Sequence, residues 1–195
     1  FIPNHFDVND QAKIAEFLND NSFGELVSII DGKPFVTPAA FLFDDEREIL
    51  SLHLARATLQ WQTIEGKQIL FVANGPHGYI SPSWYADAGV PTWNYQAVHF
   101  NGTATVFSQA ARLKSLVNEL TACSEKNFSK PWLPSYPESM LRGIVGIEIA
   151  VSEIQCKFKL SQNRSVTDQQ RSIQALESLG NSGLARAMRK ENNLG

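Results

Sequence analysis

Three stretches of the chain carry side chains whose types and spacing could do chemistry. The first is His53-Leu54-Ala55-Arg56-Ala57-Thr58, where an alternating apolar pattern gives way to a helix-type one. A strand that ends in an arginine and passes into a helix beginning at a threonine can hold phosphate. The helix start exposes N–H groups and a partial positive charge, Thr58 adds a hydroxyl, and Arg56 supplies a forked, charge-assisted contact. The same residues also suit a surface arginine beside an ordinary N-cap. The second stretch, Gly75-Pro76-His77-Gly78-Tyr79-Ile80-Ser81-Pro82-Ser83-Trp84-Tyr85, is followed closely by Pro91-Thr92-Trp93-Asn94-Tyr95. Rings fixed by prolines and glycines form planar walls, suited to stacking on a flat ring system, to a subunit interface, or to a core cluster under a long loop. The third, Lys157-Phe158-Lys159-Leu160-Ser161-Gln162-Asn163-Arg164, ends a strand in several donors and cations. It could close an anionic pocket or simply make a solvated, helix-capping turn.

Other chemistries lack their residues. Ser81 or Ser83 with His77 and Asp87 has no G-x-S-x-G elbow, so a hydrolase triad is not assigned. Neither G-x-G-x-x-G nor G-x-x-x-x-G-K-[ST] occurs, which removes support for dinucleotide or nucleoside-triphosphate chemistry. His5, His53, His77 and His99 are scattered, without the pairing a zinc site on one helix requires. Cys123 and Cys156 lie far apart and read as core thiols. No catalytic or metal-ligating residue is assigned.

The elements that must position these residues follow from periodicity. Asn9 or Asp10 can cap a helix to about Asn19 with Ile14, Phe17 and Leu18 on one face. Two β-rich runs, 25–30 and 33–43, are joined by Asp31-Gly32, a hairpin signal, and 48–54 alternates as a third strand. Residues 58–65 read as a short helix stopped by Gly66. Residues 68–73 read as a fourth strand, ending in the turn signal Asn74-Gly75-Pro76. A long strand with a bend at Gly102 is expected over 93–107, then a helix capped by Ser108 to about Ser124, then a loop over 126–137. Alternation resumes over 144–160 with a phase shift near Ser152, and helices over 167–179 and 184–190 follow. The sum is about six mostly antiparallel strands with helices at the edges, in a mainly β fold without βαβ alternation.

Hydrophobic residues make up 43% of the 195, enough for a real core. The formal charge of −3 would repel a nucleic-acid backbone, so DNA remains a possible partner only through a local patch. Arg164, Arg171, Arg186, Arg189 and Lys190 could supply one. No apolar run approaches membrane-spanning length, and Phe1-Ile2-Pro3-Asn4-His5 does not open a signal peptide, so a cytoplasmic protein without membrane contact is expected.

Taken together, Phe1-Ile2-Pro3 with His5-Phe6, His53-Leu54-Ala55-Arg56-Ala57, Gly75-Pro76-His77, Tyr79-Ile80-Ser81-Pro82-Ser83-Trp84-Tyr85, Thr92-Trp93-Asn94-Tyr95 and Lys157-Phe158-Lys159-Leu160-Ser161-Gln162-Asn163-Arg164 resemble, in order and spacing, the PaiB family. The resemblance runs essentially end to end. It implies a six-stranded, mostly antiparallel split β-barrel of the FMN-binding kind, similar to pyridoxamine phosphate oxidase. The barrel domain would occupy residues 1–163 and a helical extension packed on it residues 164–195. It also implies a homodimer with FMN, a small anionic flavin ligand, at the subunit interface, and a negative transcriptional regulator. Relatives of that fold include flavin-dependent oxidoreductases and haem-binding proteins. Carried over by position, Arg56 and Thr58 would hold the phosphate and His53 and Leu54 would line the ring. Trp93, Asn94 and Tyr95 would meet it from the partner subunit or the barrel mouth, with Ser161, Gln162 and Asn163 nearby. Two departures stand out. Thr58-Leu59 occupies the place of Asn-Pro, within the phosphate site, and Ala73-Asn74 the place of Phe-His.

Overall fold

The computed structural model describes residues 1–194. Its helices are α1 (Gln11–Asp20), α2 (Ala110–Glu125), α3 (Val166–Ser178) and α4 (Ser182–Glu191). Its strands are β1 (Phe23–Ile30), β2 (Lys33–Asp44), β3 (Ile49–Ala55), β4 (Gln68–Ile80), β5 (Thr92–Phe107) and β6 (Ile144–Lys159). Two compact units result. One is built from Ala15–Ala73 and His99–Ile154, the other from Phe1–Ile14, Asn74–Val98 and the residues from Gln155 onward.

The strands close a barrel in the order β1-β2-β3-β6-β5-β4, the mainly antiparallel six-stranded architecture the sequence predicts. Asp31 and Gly32 both adopt positive φ, 50° and 74°, which matches the twist of a two-residue hairpin turn and pairs Ile30 with Lys33. Strand period two then sorts the side chains. Leu50, Leu52 and Leu54 of β3 point inward, opposite Ile149, Ile147 and Val145 of β6. Phe41 and Phe71 meet edge-on with ring centroids 4.9 Å apart, and each such buried ring stabilises the barrel by about 2–3 kcal/mol. On the outer wall, α2 lays Leu113, Leu116 and Leu120 against Phe107 and Leu141. Gly146 makes room there: a Cβ at that position would strike the Phe107 ring.

Three local expectations are corrected. Residues 58–65 form no α-helix; only Gln60–Gln62 make a 3-10 turn. The reason is tertiary. The Gln60 side chain is fully buried and its Nε2 donates to Leu26 O and Ser28 Oγ, which draws the segment inward and leaves no length for a helix. Ser108 is not the cap of α2; Gln109 stands there without a side-chain bond. Strand β4 does not stop at Asn74-Gly75-Pro76 but runs on to Ile80, where Asn181 Nδ2 donates to the carbonyl of His77. In β6 the burial phase does flip as expected, from Val145, Ile147 and Ile149 to Cys156, Phe158 and Leu160.

In the second unit, the ends of β4, β5 and β6 are backed by α4. Leu184, Ala185 and Met188 are buried, and a Cβ on Gly78 would meet Asn181 and Leu184. The chain start joins the same layer: Asp7 bridges to Lys157 and Val8 N–H donates to Cys156 O over 3.1 Å.

Candidate functional site

The arginine corner belongs to the barrel unit. Arg56 follows the last residue of β3 and is exposed. Its Nε donates to Arg142 O (2.8 Å), its Nη2 to Ile144 O (3.0 Å) and its N–H to Gly143 O (2.8 Å), so it clamps the start of β6. A guanidinium has five N–H groups, so two side-chain bonds leave donors to spare and fix the plane from which they point. Trp61 flanks it, with the guanidinium 5.9 Å from the ring centroid. Thr58 is half-buried, and its N–H is taken by Ala55 O at 2.9 Å. Because no helix begins there, backbone N–H groups and a helix dipole are not what this corner offers an anion. It offers the guanidinium.

His53 lies on the outer face of β3, directly opposite Gly146. Its Nδ1 is buried with no hydrogen-bond partner among the described residues. Burial holds the imidazole below its usual pKa, so it is neutral at physiological pH. A buried ring nitrogen without a partner costs free energy unless something else meets it. Leu54, by contrast, points into the barrel core at 3% exposure and can only support the strand.

Trp93, Tyr95 and Asn94 belong to the second unit and split by strand alternation. Asn94 is fully buried and donates to Ser161 Oγ (2.8 Å) and Met188 Sδ (3.4 Å). Trp93, 55% exposed, and half-buried Tyr95 lie on the other face of β5. Around Trp93 gather His77 and Tyr79, each with its centroid 6.4 Å away. Lys159 Nζ donates to Trp93 O (2.9 Å) and to Thr92 Oγ1, while Lys157 Nζ sits 5.5 Å from the Tyr95 ring centroid. The Lys159 pKa is lowered by burial and, to a lesser degree, by Lys157 and Arg164, against an upward pull from Tyr95.

Ser161 and Gln162 shape the turn between β6 and α3. Ser161 is buried, holds φ at 68°, and its carbonyl accepts from Gln169 Nε2 at 3.0 Å. Gln162 Oε1 accepts from Leu160 N–H and its Nε2 donates to Phe158 O. Asn163 is exposed. Of the ten residues singled out from the sequence, Asn94 and Ser161 are thus joined directly, inside the second unit. His77, Tyr79, Lys157 and Lys159 share the Trp93 face and were left out of the sequence-based site. Alternation would have placed His77 and Tyr79 there had β4 been carried through to Ile80.

Elsewhere in the barrel unit a groove of about 430 Å³ runs between α2 and the outer wall, past Arg47, Arg112 and Glu148. Arg112 pairs with Glu148 at 2.8 Å, so those charges satisfy one another. No cluster of three or more His, Cys, Asp or Glu could hold a metal ion among the described residues.

Residues 1–153 match the family model described as "Putative FMN-binding domain". The chain is 40% identical over 188 residues to "Protease synthase and sporulation protein PAI 2" of Bacillus subtilis (strain 168), covering 91% of this chain and 89% of that protein. Among solved structures, the flavocytochrome Anf3 of Azotobacter vinelandii aligns with a TM-score of 0.64 at 18% identity, over 78% of this chain and 69% of that one. The FAD and heme binding protein of Mycobacterium smegmatis aligns at 0.62 and 12%, over 84% and 78%. At such identities these two neighbours speak for the fold alone.

Proposed function

This chain belongs to the PaiB family, whose domain is of the FMN-binding type, and from that premise we propose that it is an FMN-binding homodimer with a regulatory role, as a negative transcriptional regulator or ligand-responsive protein. The observation that carries the flavin reading is the buried, partnerless Nδ1 of His53 on the strand that delivers Arg56 to the surface. The residues fit the group. Arg56, its plane already set by Arg142 and Ile144 carbonyls, would hold the phosphate with its remaining donors, helped by the Thr58 hydroxyl. His53 would offer Nδ1 as donor or acceptor according to its tautomer. Leu54 supports their strand from the barrel core, and in the second unit, considered by itself, Trp93 and Tyr95 present ring surface on one face of β5 with Asn94 and Ser161 joined on the other. Bound FMN supplies one- or two-electron redox chemistry, and the chain's part is to bind it, orient it and exclude water.

An alternative reading, a flavin-dependent oxidoreductase, is favoured by the two lysines beside Trp93 and Tyr95, because charge near a flavin ring tunes its electronics. For regulation, the net charge of −3 argues that any DNA contact is local. A gel shift should show weak complexes that fade with salt, and the absence of any complex at low salt removes direct DNA recognition.

The flavin reading is tested by loading the purified chain with FMN, dialysing, and recording the visible spectrum. We expect a retained band near ~450 nm, the usual flavin absorbance, and a fall in affinity of about 10- to 100-fold for Arg56→Ala, the size of a lost charge-assisted contact. A colourless protein after loading overturns it.

A further inference from the structure

The end of the 3-10 turn Glu138–Gly143 folds onto Arg56, and both lie inside the barrel unit. The successive carbonyls of Arg142, Gly143 and Ile144 accept from the Nε, the backbone N–H and the Nη2 of Arg56. That contact sets a second arginine beside the first. Arg142 is exposed, and its side chain makes no hydrogen bond or ion pair among the described residues. Arg56 has spent two of its five side-chain N–H groups on those carbonyls, and Arg142 none. The carboxylates around the corner are engaged elsewhere. Glu138 pairs with Lys114 (3.2 Å) and Glu148 with Arg112 (2.8 Å), while Glu119 accepts from the Ser115 hydroxyl (2.7 Å). Glu125 accepts the Trp132 N–H (2.8 Å) and Glu65 the Val106 N–H (2.6 Å). No Asp or Glu occurs in the segments 55–64 and 139–147 that build the corner. Two guanidinium groups held together with no carboxylate between them attract an anion. A Cβ at Gly143 would meet nothing within 4 Å, so the corner is open to a ligand.

We propose that Arg142 is a second phosphate-binding residue at this corner, and that the pair selects a flavin ending in a phosphate dianion over the same flavin without it. The inference rests on the flavin reading above and deepens it by giving the two arginines different parts. Arg56 sets the geometry: its plane is fixed by the Arg142 and Ile144 carbonyls, and Trp61 flanks it at 5.9 Å. The partial negative charge of those carbonyl oxygens offsets part of its pull on an anion. Arg142 carries no such offset. Its backbone touches the Arg56 Nε at 2.8 Å, so its long side chain reaches the same phosphate. A phosphate monoester presents three acceptor oxygens, enough for a fork from each arginine. Its second ionisation, near pH ~6, doubles its charge, and a second cation favours the doubly charged form.

The test measures the dissociation constants of FMN and of riboflavin, which lacks the phosphate, by quenching of flavin fluorescence on the whole chain. Wild type is compared with Arg142→Ala, Arg142→Lys and Arg56→Ala. We expect the wild type to bind FMN at least about 100-fold more tightly than riboflavin. Arg142→Ala should weaken FMN by about tenfold or more while riboflavin shifts by less than about twofold. Arg142→Lys, which keeps the charge but not the fork, should fall between. Between about pH 5 and about pH 7.5 the wild-type affinity for FMN should rise as the phosphate loses its second proton, and Arg142→Ala should flatten that rise. Arg142→Ala should keep the wild-type urea midpoint, because its side chain holds nothing, whereas Arg56→Ala should lower it by releasing two carbonyls. Unchanged FMN affinity in Arg142→Ala overturns the proposal and leaves the flavin reading intact. So does an equal loss for FMN and riboflavin with the pH profile kept, the mark of a structural role. Where riboflavin binds too weakly to measure, the pH profile carries that distinction. Failure of the wild type to bind FMN overturns both readings.

Discussion

At the scale of single residues, burial decides more than sequence neighbours do. His53 sits on an outward-facing strand position, yet desolvation lowers its pKa. A group whose folded pKa is depressed stabilises the fold above its unfolded value, near 6.5, and that stability is lost as pH falls through the folded value. We expect the His53 ring resonance to titrate below pH 6.5 in NMR, and acid unfolding to be less steep below pH 6.5 in His53→Phe. Cys156 is the opposite case. Burial first, and then the carboxylates of Asp7 and Glu191, push its thiol up to about 12. The folded state keeps the proton that the unfolded chain gives up near pH 8.5 to 9, so this contribution fades as pH rises from about 9 towards 12. The same burial, 2% exposed, should leave Cys156 unreactive to a thiol reagent until the chain is unfolded, whereas the half-buried Cys123 reacts first. Fast labelling of Cys156 in the native state would contradict that order.

At the scale of elements, the turn from β6 into α3 depends on one buried amide. Asn94 ties β5 to Ser161, whose φ of 68° is an uncommon conformation for a residue with a side chain. Asn94→Ala removes that donor from a buried hydroxyl and should cost about 1–3 kcal/mol in urea unfolding. Ser161→Gly loses the same bond but relaxes the backbone, and so should cost less. A change within error for Asn94→Ala would show that Gln162 and Gln169 hold the turn unaided. These two residues also mark what the sequence could and could not disclose. The barrel was legible because β1 to β3 alternate cleanly and Asp31-Gly32 names its own turn. The phase flip in β6 was legible for the same reason. The absence of a helix after Thr58 was not, because Gln60 reads as an ordinary polar residue until the carbonyl of Leu26 and the hydroxyl of Ser28 are folded around it. Asn94 carries no mark of burial in the string Trp93-Asn94-Tyr95, although its neighbours are turned outward. Nor does Arg56 announce that part of its guanidinium is spent on Arg142 and Ile144.

At the scale of the whole molecule, the homodimer proposed above has a surface to account for. The β1–β2 hairpin leaves Ile29 60% and Val36 51% exposed, and pairing places both on one face. Apolar groups so placed gain from being covered by a second chain. Light scattering on the purified protein should give twice the mass of one chain. The double variant Ile29→Glu with Val36→Glu should give the single mass if this face is the one covered, and an unchanged dimer would move the interface elsewhere. No helix among the described residues is long and apolar enough to cross a membrane. The division into two units has a consequence for the order in which the chain is made. All residues of the barrel unit have been synthesised once Ile154 is added, so that unit can close as soon as this stretch has cleared the ribosome tunnel. The other unit gathers its first residues, a middle stretch and everything after Gln155, and α4 is among the last segments delivered. Its ring-bearing face can therefore assemble only after translation has passed α4, and a nascent chain carrying residues 1–160 on a linker long enough to clear the ribosome tunnel should protect the barrel from proteolysis while leaving Trp93 without its backing.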